Sequence, residues 1–139
     1  MVMKNIKIFL VIGLLSLVTL WGCEEDITDP TANDRDAFIG SWICKDQPTK
    51  NGLATYTVTI TADPTNEDQV IVTNYFQLGS DANPYAVVSG SSINIPTQVT
   101  CDDNSWTVTA HGTLIKDTEI KWDVYDGNDL SYTATFTKQ

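Results

Sequence analysis

Thr55-Tyr56-Thr57-Val58-Thr59-Ile60-Thr61 is the stretch that decides the fold of this chain. Successive side chains of a strand point to opposite faces, so Tyr56, Val58 and Ile60 share one face and the four threonines the other. Threonine, valine and isoleucine suit a pleated, half-buried surface, packed on one side and wet on the other. The same period of two recurs further along. Trp106, Val108 and Ala110 alternate with Thr107, Thr109 and His111; Ile120, Trp122 and Val124 with Glu119, Lys121 and Asp123; Leu130, Tyr132, Ala134 and Phe136 with Ser131, Thr133, Thr135 and Thr137. No segment past Trp21 repeats its apolar residues with the 3.6-residue period of a helix.

Eight strands are expected, at about 39–46, 54–62, 69–77, 84–89, 91–96, 105–115, 118–126 and 130–138. Asn51-Gly52, Asp63-Pro64-Thr65-Asn66, Ser80-Asp81-Ala82-Asn83, Ser89-Gly90-Ser91, Lys116-Asp117 and Asp126-Gly127-Asn128-Asp129 supply the turn chemistry between them. Consecutive hairpins with one apolar face each favour an all-β, eight-stranded antiparallel up-and-down barrel, which removes its own edges by closing. A two-sheet β-sandwich is the alternative that the pattern leaves open.

The first 22 residues read differently. Lys4 and Lys7 precede an apolar run from Ile8 to Trp21, and small Gly22 stands before Cys23, the order of charge, apolar core and cleavage site in a secretory signal. The run is about 14 residues, short of the roughly 20 needed to span a bilayer as a helix. Leu20-Trp21-Gly22-Cys23 resembles the lipobox of bacterial lipoproteins. That resemblance implies cleavage before Cys23 and acylation of Cys23, with diacylglycerol on sulfur and a fatty acyl group such as palmitate on nitrogen. Two or more chains hold a protein stably at a membrane where one holds it marginally. Residues 1–22 are then a signal peptide, 23–37 an acylated cysteine with a flexible acidic tether, and 38–139 the folded domain. The expected address is the bacterial outer membrane. Glu24, Glu25 and Asp26 are similar to the acidic run that marks surface-exposed members of that family.

A second resemblance covers the domain. Gly40-Ser41-Trp42 is similar to the Gly-x-Trp signature of lipocalin-like barrels, in which the tryptophan plugs one end. Phe38-Ile39-Gly40-Ser41-Trp42-Ile43-Cys44, Asn74-Tyr75-Phe76-Gln77-Leu78-Gly79, Tyr85-Ala86-Val87-Val88-Ser89-Gly90 and Thr133-Ala134-Thr135-Phe136-Thr137-Lys138 look like segments of small lipocalin-like bacterial lipoproteins of unassigned function. The likeness implies a barrel and an envelope address, and it transfers no catalytic residue.

Charge narrows the partners. The chain carries 18 acids and 8 bases, a net charge of −10. Loss of Lys4 and Lys7 with the signal leaves six scattered bases, and a charge of −12. Phosphate neutralisation needs a basic patch, so nucleic acid is excluded as a partner. His111 is the single histidine, on the threonine face of its strand, and no Gly-x-Ser-x-Gly elbow accompanies it. Neither a catalytic triad nor a histidine-based zinc site can be assembled from these residues. Acids at Asp63, Glu67 and Asp68, at Asp102 and Asp103, and at Asp123, Asp126 and Asp129 lack the spacing of an EF-hand loop and read as turn residues. No enzyme activity, metal or cofactor is expected.

Cys44 and Cys101 are the remaining cysteines, and an exported compartment permits them to pair. The bond would close 58 residues, worth about 4 kcal/mol in loop entropy; two buried thiols are the other reading. Trp42, Tyr56, Phe76, Trp106, Trp122, Tyr132 and Phe136 share the expected inner face. An eight-stranded barrel is just wide enough to be filled by side chains or to hold one small ligand. These seven rings are therefore core residues and the candidate lining of a pocket for a flat apolar molecule or the apolar face of a glycan. The expected function is a lipid-anchored envelope binding protein for such a ligand or for a protein partner. The alternative is a non-catalytic structural or accessory subunit, or an inhibitor, with a filled barrel.

Overall fold

The computed structural model of the protein describes residues 33–47, 54–101, 104–128 and 130–139. The expected signal peptide and Cys23, the acidic run that follows them, the Asn51-Gly52 turn, and Asp102, Asp103 and Asp129 lie outside the described residues. Eight strands run in order: β1 Gly40–Gln47, β2 Thr55–Ala62, β3 Gln69–Thr73, β4 Tyr85–Ser89, β5 Ser92–Thr100, β6 Trp106–Lys116, β7 Glu119–Gly127 and β8 Leu130–Lys138. Each pairs antiparallel with the next. β1 also pairs with β8, from Trp42 opposite Lys138 to Gln47 opposite Thr133, so the sheet closes into an up-and-down barrel and the sandwich alternative falls.

Alternation sorts side chains as the sequence requires. In β2, Tyr56, Val58 and Ile60 are buried while Thr55, Thr57, Thr59 and Thr61 are exposed. Val58, Ile60, Val70, Val72, Ile93, Ile95, Ile120 and Phe136 meet inside the ring with Trp42 and Trp122.

One end is sealed by the chain leading into β1. A 3₁₀ turn, Asp34–Ala37, lies across the β2–β3 and β4–β5 turns. Arg35 Nη1 donates to the carbonyls of Asp63 at 3.1 Å and Asn66 at 2.9 Å, and Asp34 Oδ2 accepts from the Gly90 amide at 2.7 Å. Trp42 Nε1 donates to Phe38 O at 2.8 Å. Lys138 Nζ stands 5.2 Å from the centre of the Trp42 ring and donates to Ala37 O. Asn33, Asp34 and Arg35, ahead of Phe38, are bonded to the barrel turns.

Four expectations need correction. The strand expected over 69–77 stops at Thr73: Asn74 turns left-handed at φ 66°, and Tyr75–Gln77 form a 3₁₀ turn that folds over the barrel end. β5 runs on to Thr100, past Pro96, because its register against β6 shifts between Ile95 and Gln98. Proline has no ladder N–H to give, and a bulge accommodates it. In β7 the register against β8 shifts between Trp122 and Tyr125, so Val124 faces outward and Tyr125 is fully buried, the reverse of simple alternation. Finally, the structure does not join Cys44 to Cys101. β1 and β5 stand four strands apart in a ring of eight, on opposite walls, and the Cys44 thiol points into the core, where its Sγ donates to Asp46 Oδ1 at 3.0 Å.

Candidate functional site

The end of the barrel opposite Asp34–Ala37 collects the chemistry. Five aromatic residues converge there from four places: Tyr75 and Phe76 from the 3₁₀ turn, Trp106 from the start of β6, Tyr125 from the bulge of β7, and Tyr132 from the start of β8. The Phe76 ring stacks on Tyr125 with centroids 4.7 Å apart and planes 6° apart. It also lies 5.0 Å from Tyr75, 5.5 Å from Tyr132 and 6.1 Å from Trp106. Tyr75 and Tyr125 are fully buried, whereas Phe76, Trp106 and Tyr132 are half-buried and form the rim. Trp106 approaches this closely because β7 ends in glycine: a Cβ on Gly127 would sit 3.0 Å from the tryptophan ring.

Below the rim lies a polar group that a barrel interior must satisfy from within. Asp46 extends the inward face of Trp42 and Cys44 along β1 and is 5 % exposed. Its Oδ1 accepts the Cys44 thiol proton. Tyr56 OH and Tyr125 OH are 3.2 Å apart, and the Phe76 amide donates to Tyr125 OH at 3.3 Å. Tyr75 OH reaches the carbonyls of Thr109 and Asp126, each at 3.2 Å, and ties the turn to β6 and β7.

Burial sets the protonation states. Loss of water pushes the phenols of Tyr56, Tyr75 and Tyr125 upward, so all three remain neutral donors. The Cys44 thiol is raised by burial and then by its bond to Asp46, and it stays protonated. Burial also raises the Asp46 carboxyl above the usual carboxylate range, against the opposing effect of hydrogen bonds from Cys44 and Tyr56. Among the described residues the one ion pair is Lys121 with Glu119 on the outer surface, and no cation faces Asp46.

On the wall beside the rim, a cleft of about 510 Å³ is lined by Thr107, Val108, Thr109, Asp126, Gly127 and Asn128. Asn128 shapes it, accepting from the Thr107 amide at 2.9 Å and donating to Ser105 O at 3.1 Å. Asp126 Oδ1 is buried there without a hydrogen-bond partner.

The seven rings expected to line a pocket divide into two sets. Trp42, Trp122 and Phe136 are interior filling, with Trp122 and Phe136 centroids 5.2 Å apart, and Tyr56 is 8 % exposed at the base of the polar group. Phe76, Trp106 and Tyr132 come together at the rim. Asp46, Tyr75 and Tyr125 join the site without having been singled out in the sequence. Parity with Trp42 and Cys44 was the available signal for Asp46; Tyr75 was hidden by reading 69–77 as a strand, and Tyr125 by the bulge.

His111 is exposed on the outer face of β6 and is hydrogen-bonded through Nδ1 to Asn94 Oδ1. Among the described residues no three histidine, cysteine, aspartate or glutamate side chains converge as a metal group. Asp63 is a turn residue: its Oδ1 accepts from the amide and the hydroxyl of Thr65, both at 2.7 Å, and these bonds hold its carboxyl below the usual range.

No protein-family model matches the chain, and no curated protein matches it. Solved structures of designed proteins are similar to it. One is a redesigned β-barrel, 13 % identical with a TM-score of 0.56, covering 78 % of this chain and 97 % of that one. A second redesigned barrel, bound to DFHBI, is 10 % identical with a TM-score of 0.52 and covers 77 % of this chain and 100 % of that one. A third, a de novo fluorescence-activating β-barrel, is 12 % identical with a TM-score of 0.52, over 78 % of this chain and 99 % of that one. At these identities the likeness is one of fold: an eight-stranded closed barrel.

Proposed function

We propose that this chain is a lipid-anchored, lipocalin-like binding protein of the bacterial outer membrane, and that its ligand is taken at the aromatic rim. The observation that carries the reading is the gathering of half-buried Trp106 and Tyr132 about half-buried Phe76 at one end of an otherwise filled barrel. Large rings left partly open to water at a barrel end favour flat apolar molecules or the apolar faces of sugars. The reading assigns no catalysis: the neutral phenols and thiol around Asp46 supply no nucleophile at neutral pH.

Anchoring rests on Leu20-Trp21-Gly22-Cys23 and on the end of the barrel to which Asn33 is bonded. Asn33 lies at the sealed end, bonded to Glu67 O. Asn33 is ten positions beyond Cys23, a contour of at most about 35 Å. A lipid at Cys23 would thus attach through the sealed end, and the aromatic rim is the end of the barrel remote from that attachment. A second reading, an accessory subunit or inhibitor that meets a protein partner across the rim, is favoured by the filling of the interior with Trp42, Trp122, Tyr125 and Phe136.

Native mass spectrometry of the full chain extracted from its own membrane separates the two. A non-covalent adduct of a few hundred daltons, lost in Trp106→Ala and Tyr132→Ala, is the expected result. Its absence from the wild-type chain would sink ligand binding and leave the protein-partner reading.

A further inference from the structure

The Phe76 ring occupies a position that its backbone does not favour. Asn74, Phe76 and Gln77 take φ values of 66°, 55° and 61°, left-handed conformations that side chains bearing a Cβ adopt at a cost. Strain of this kind persists where the surroundings hold it, and it concentrates at binding sites. Here the surroundings are the flat stack on Tyr125, the bond from the Phe76 amide to Tyr125 OH, and the grip of Asn74, whose Nδ2 donates to Thr57 O and whose Oδ1 accepts from the Gly79 amide. Phe76 stays half-buried while Tyr125 beneath it is fully buried. Moving the Phe76 ring outward uncovers a flat tyrosine face between Trp106 and Tyr132 and frees a turn from strain.

The same end carries the buried Asp46 carboxylate, beside which no cation stands among the described residues. Asp46 stands opposite Ala134 on β8, two residues from Tyr132 on the same inward face, and its charge acts on the Tyr75 phenol. Its described partners are neutral donors, so a cation brought to it gains an ion pair in a site of low dielectric. Tyrosine and tryptophan faces attract cations as well, and the acidic chain draws them from solution.

We propose that Phe76 is a built-in stand-in for a planar aromatic ammonium ligand, which displaces it, stacks on Tyr125 between Trp106 and Tyr132, and turns its cation toward Asp46. The proposal rests on the rim being the binding site and adds the ligand's chemical class.

The test titrates the full chain in detergent with 1-naphthylmethylamine and with 1-naphthylmethanol, near-isosteres that differ in charge, following tryptophan fluorescence and heat. The amine should bind the wild type, and Phe76→Ala should tighten it about tenfold. In Phe76→Ala the amine should exceed the alcohol by about tenfold, and adding Asp46→Asn should abolish that preference while leaving the alcohol unchanged. An amine that binds Phe76→Ala no tighter than wild type overturns the stand-in role. Equal binding of amine and alcohol in Phe76→Ala overturns the ammonium class yet keeps the rim as a binding site. No binding of either probe to either chain overturns this proposal together with ligand binding at the rim. If Phe76→Ala loses its far-ultraviolet dichroism, Phe76→Leu, which keeps apolar volume and removes the flat stack, carries the same comparison.

Discussion

Trp122 and Gly112 form one packing unit. The indole fills the middle of the barrel, and a Cβ at Gly112 would lie 2.8 Å from its Cε3 and 3.2 Å from Ile93 Cγ2. Gly112→Ala should therefore cost about 1–3 kcal/mol through overpacking, and Trp122→Ala about 3–5 kcal/mol through the cavity it leaves. Because the two act on the same space, the double variant should lose less than the sum, and urea unfolding of the four chains measures the difference. Asp46 acts on stability through its proton. Its folded carboxyl is raised above the unfolded value near 4, so the stability its proton brings is complete below about pH 4 and is lost as pH rises through the raised folded value. Within that window the wild type should weaken by up to about 1.4 kcal/mol per pH unit relative to Asp46→Asn, which holds no titrating group there. An unchanged pH slope in Asp46→Asn would show that the carboxylate is hydrated. Asp63 acts in the other direction, and only as pH falls below about 4, since its carboxyl is lowered by Thr65. Burial of Trp122 was legible from its parity in β7, whereas Gly112 acquires its role from a ring on the neighbouring strand.

At the scale of elements, the strands follow from alternation and their interruptions from single residues. Pro96 and the register shift beside it interrupt β5, and the Gln98 side chain bridges to the neighbouring strand. Its Oε1 accepts from the Tyr85 amide at 3.1 Å, and its Nε2 donates to Tyr85 O at 2.8 Å. Gln98→Ala removes both bonds, with an expected loss of about 1–2 kcal/mol at an edge that water reaches. Amide exchange should accelerate at Tyr85 while that of Val58 in β2 follows global stability alone. Uniform acceleration across the barrel would mean that Gln98 supports the whole fold. The β7 bulge has the larger consequence for the site. A strict alternation through Trp122 and Val124 would leave Tyr125 on the outer wall, and the stack beneath Phe76 exists because the strand gains a step.

The whole molecule has a polarity, sealed at one end by Trp42, Phe38 and the Asp34–Ala37 turn and aromatic at the other. If Cys23 carries the lipid, Cys23→Ala should abolish incorporation of a labelled fatty acid and release the chain from the membrane fraction. Retained label would refute the anchor and, with it, the orientation of the rim. Sequence alone determined the strand content, the order of the hairpins and the inward set of Trp42, Tyr56, Trp122 and Phe136, because side-chain parity and turn chemistry are local properties. Only the tertiary structure decided the rest: closure of β8 on β1, the separation of Cys44 from Cys101, and the meeting of Phe76, Trp106, Tyr125 and Tyr132 near Asp46. Closure depends on the twist and tilt that eight strands accumulate together, and the rim on a bulge and a left-handed turn whose energies are set by the rings they bring into contact.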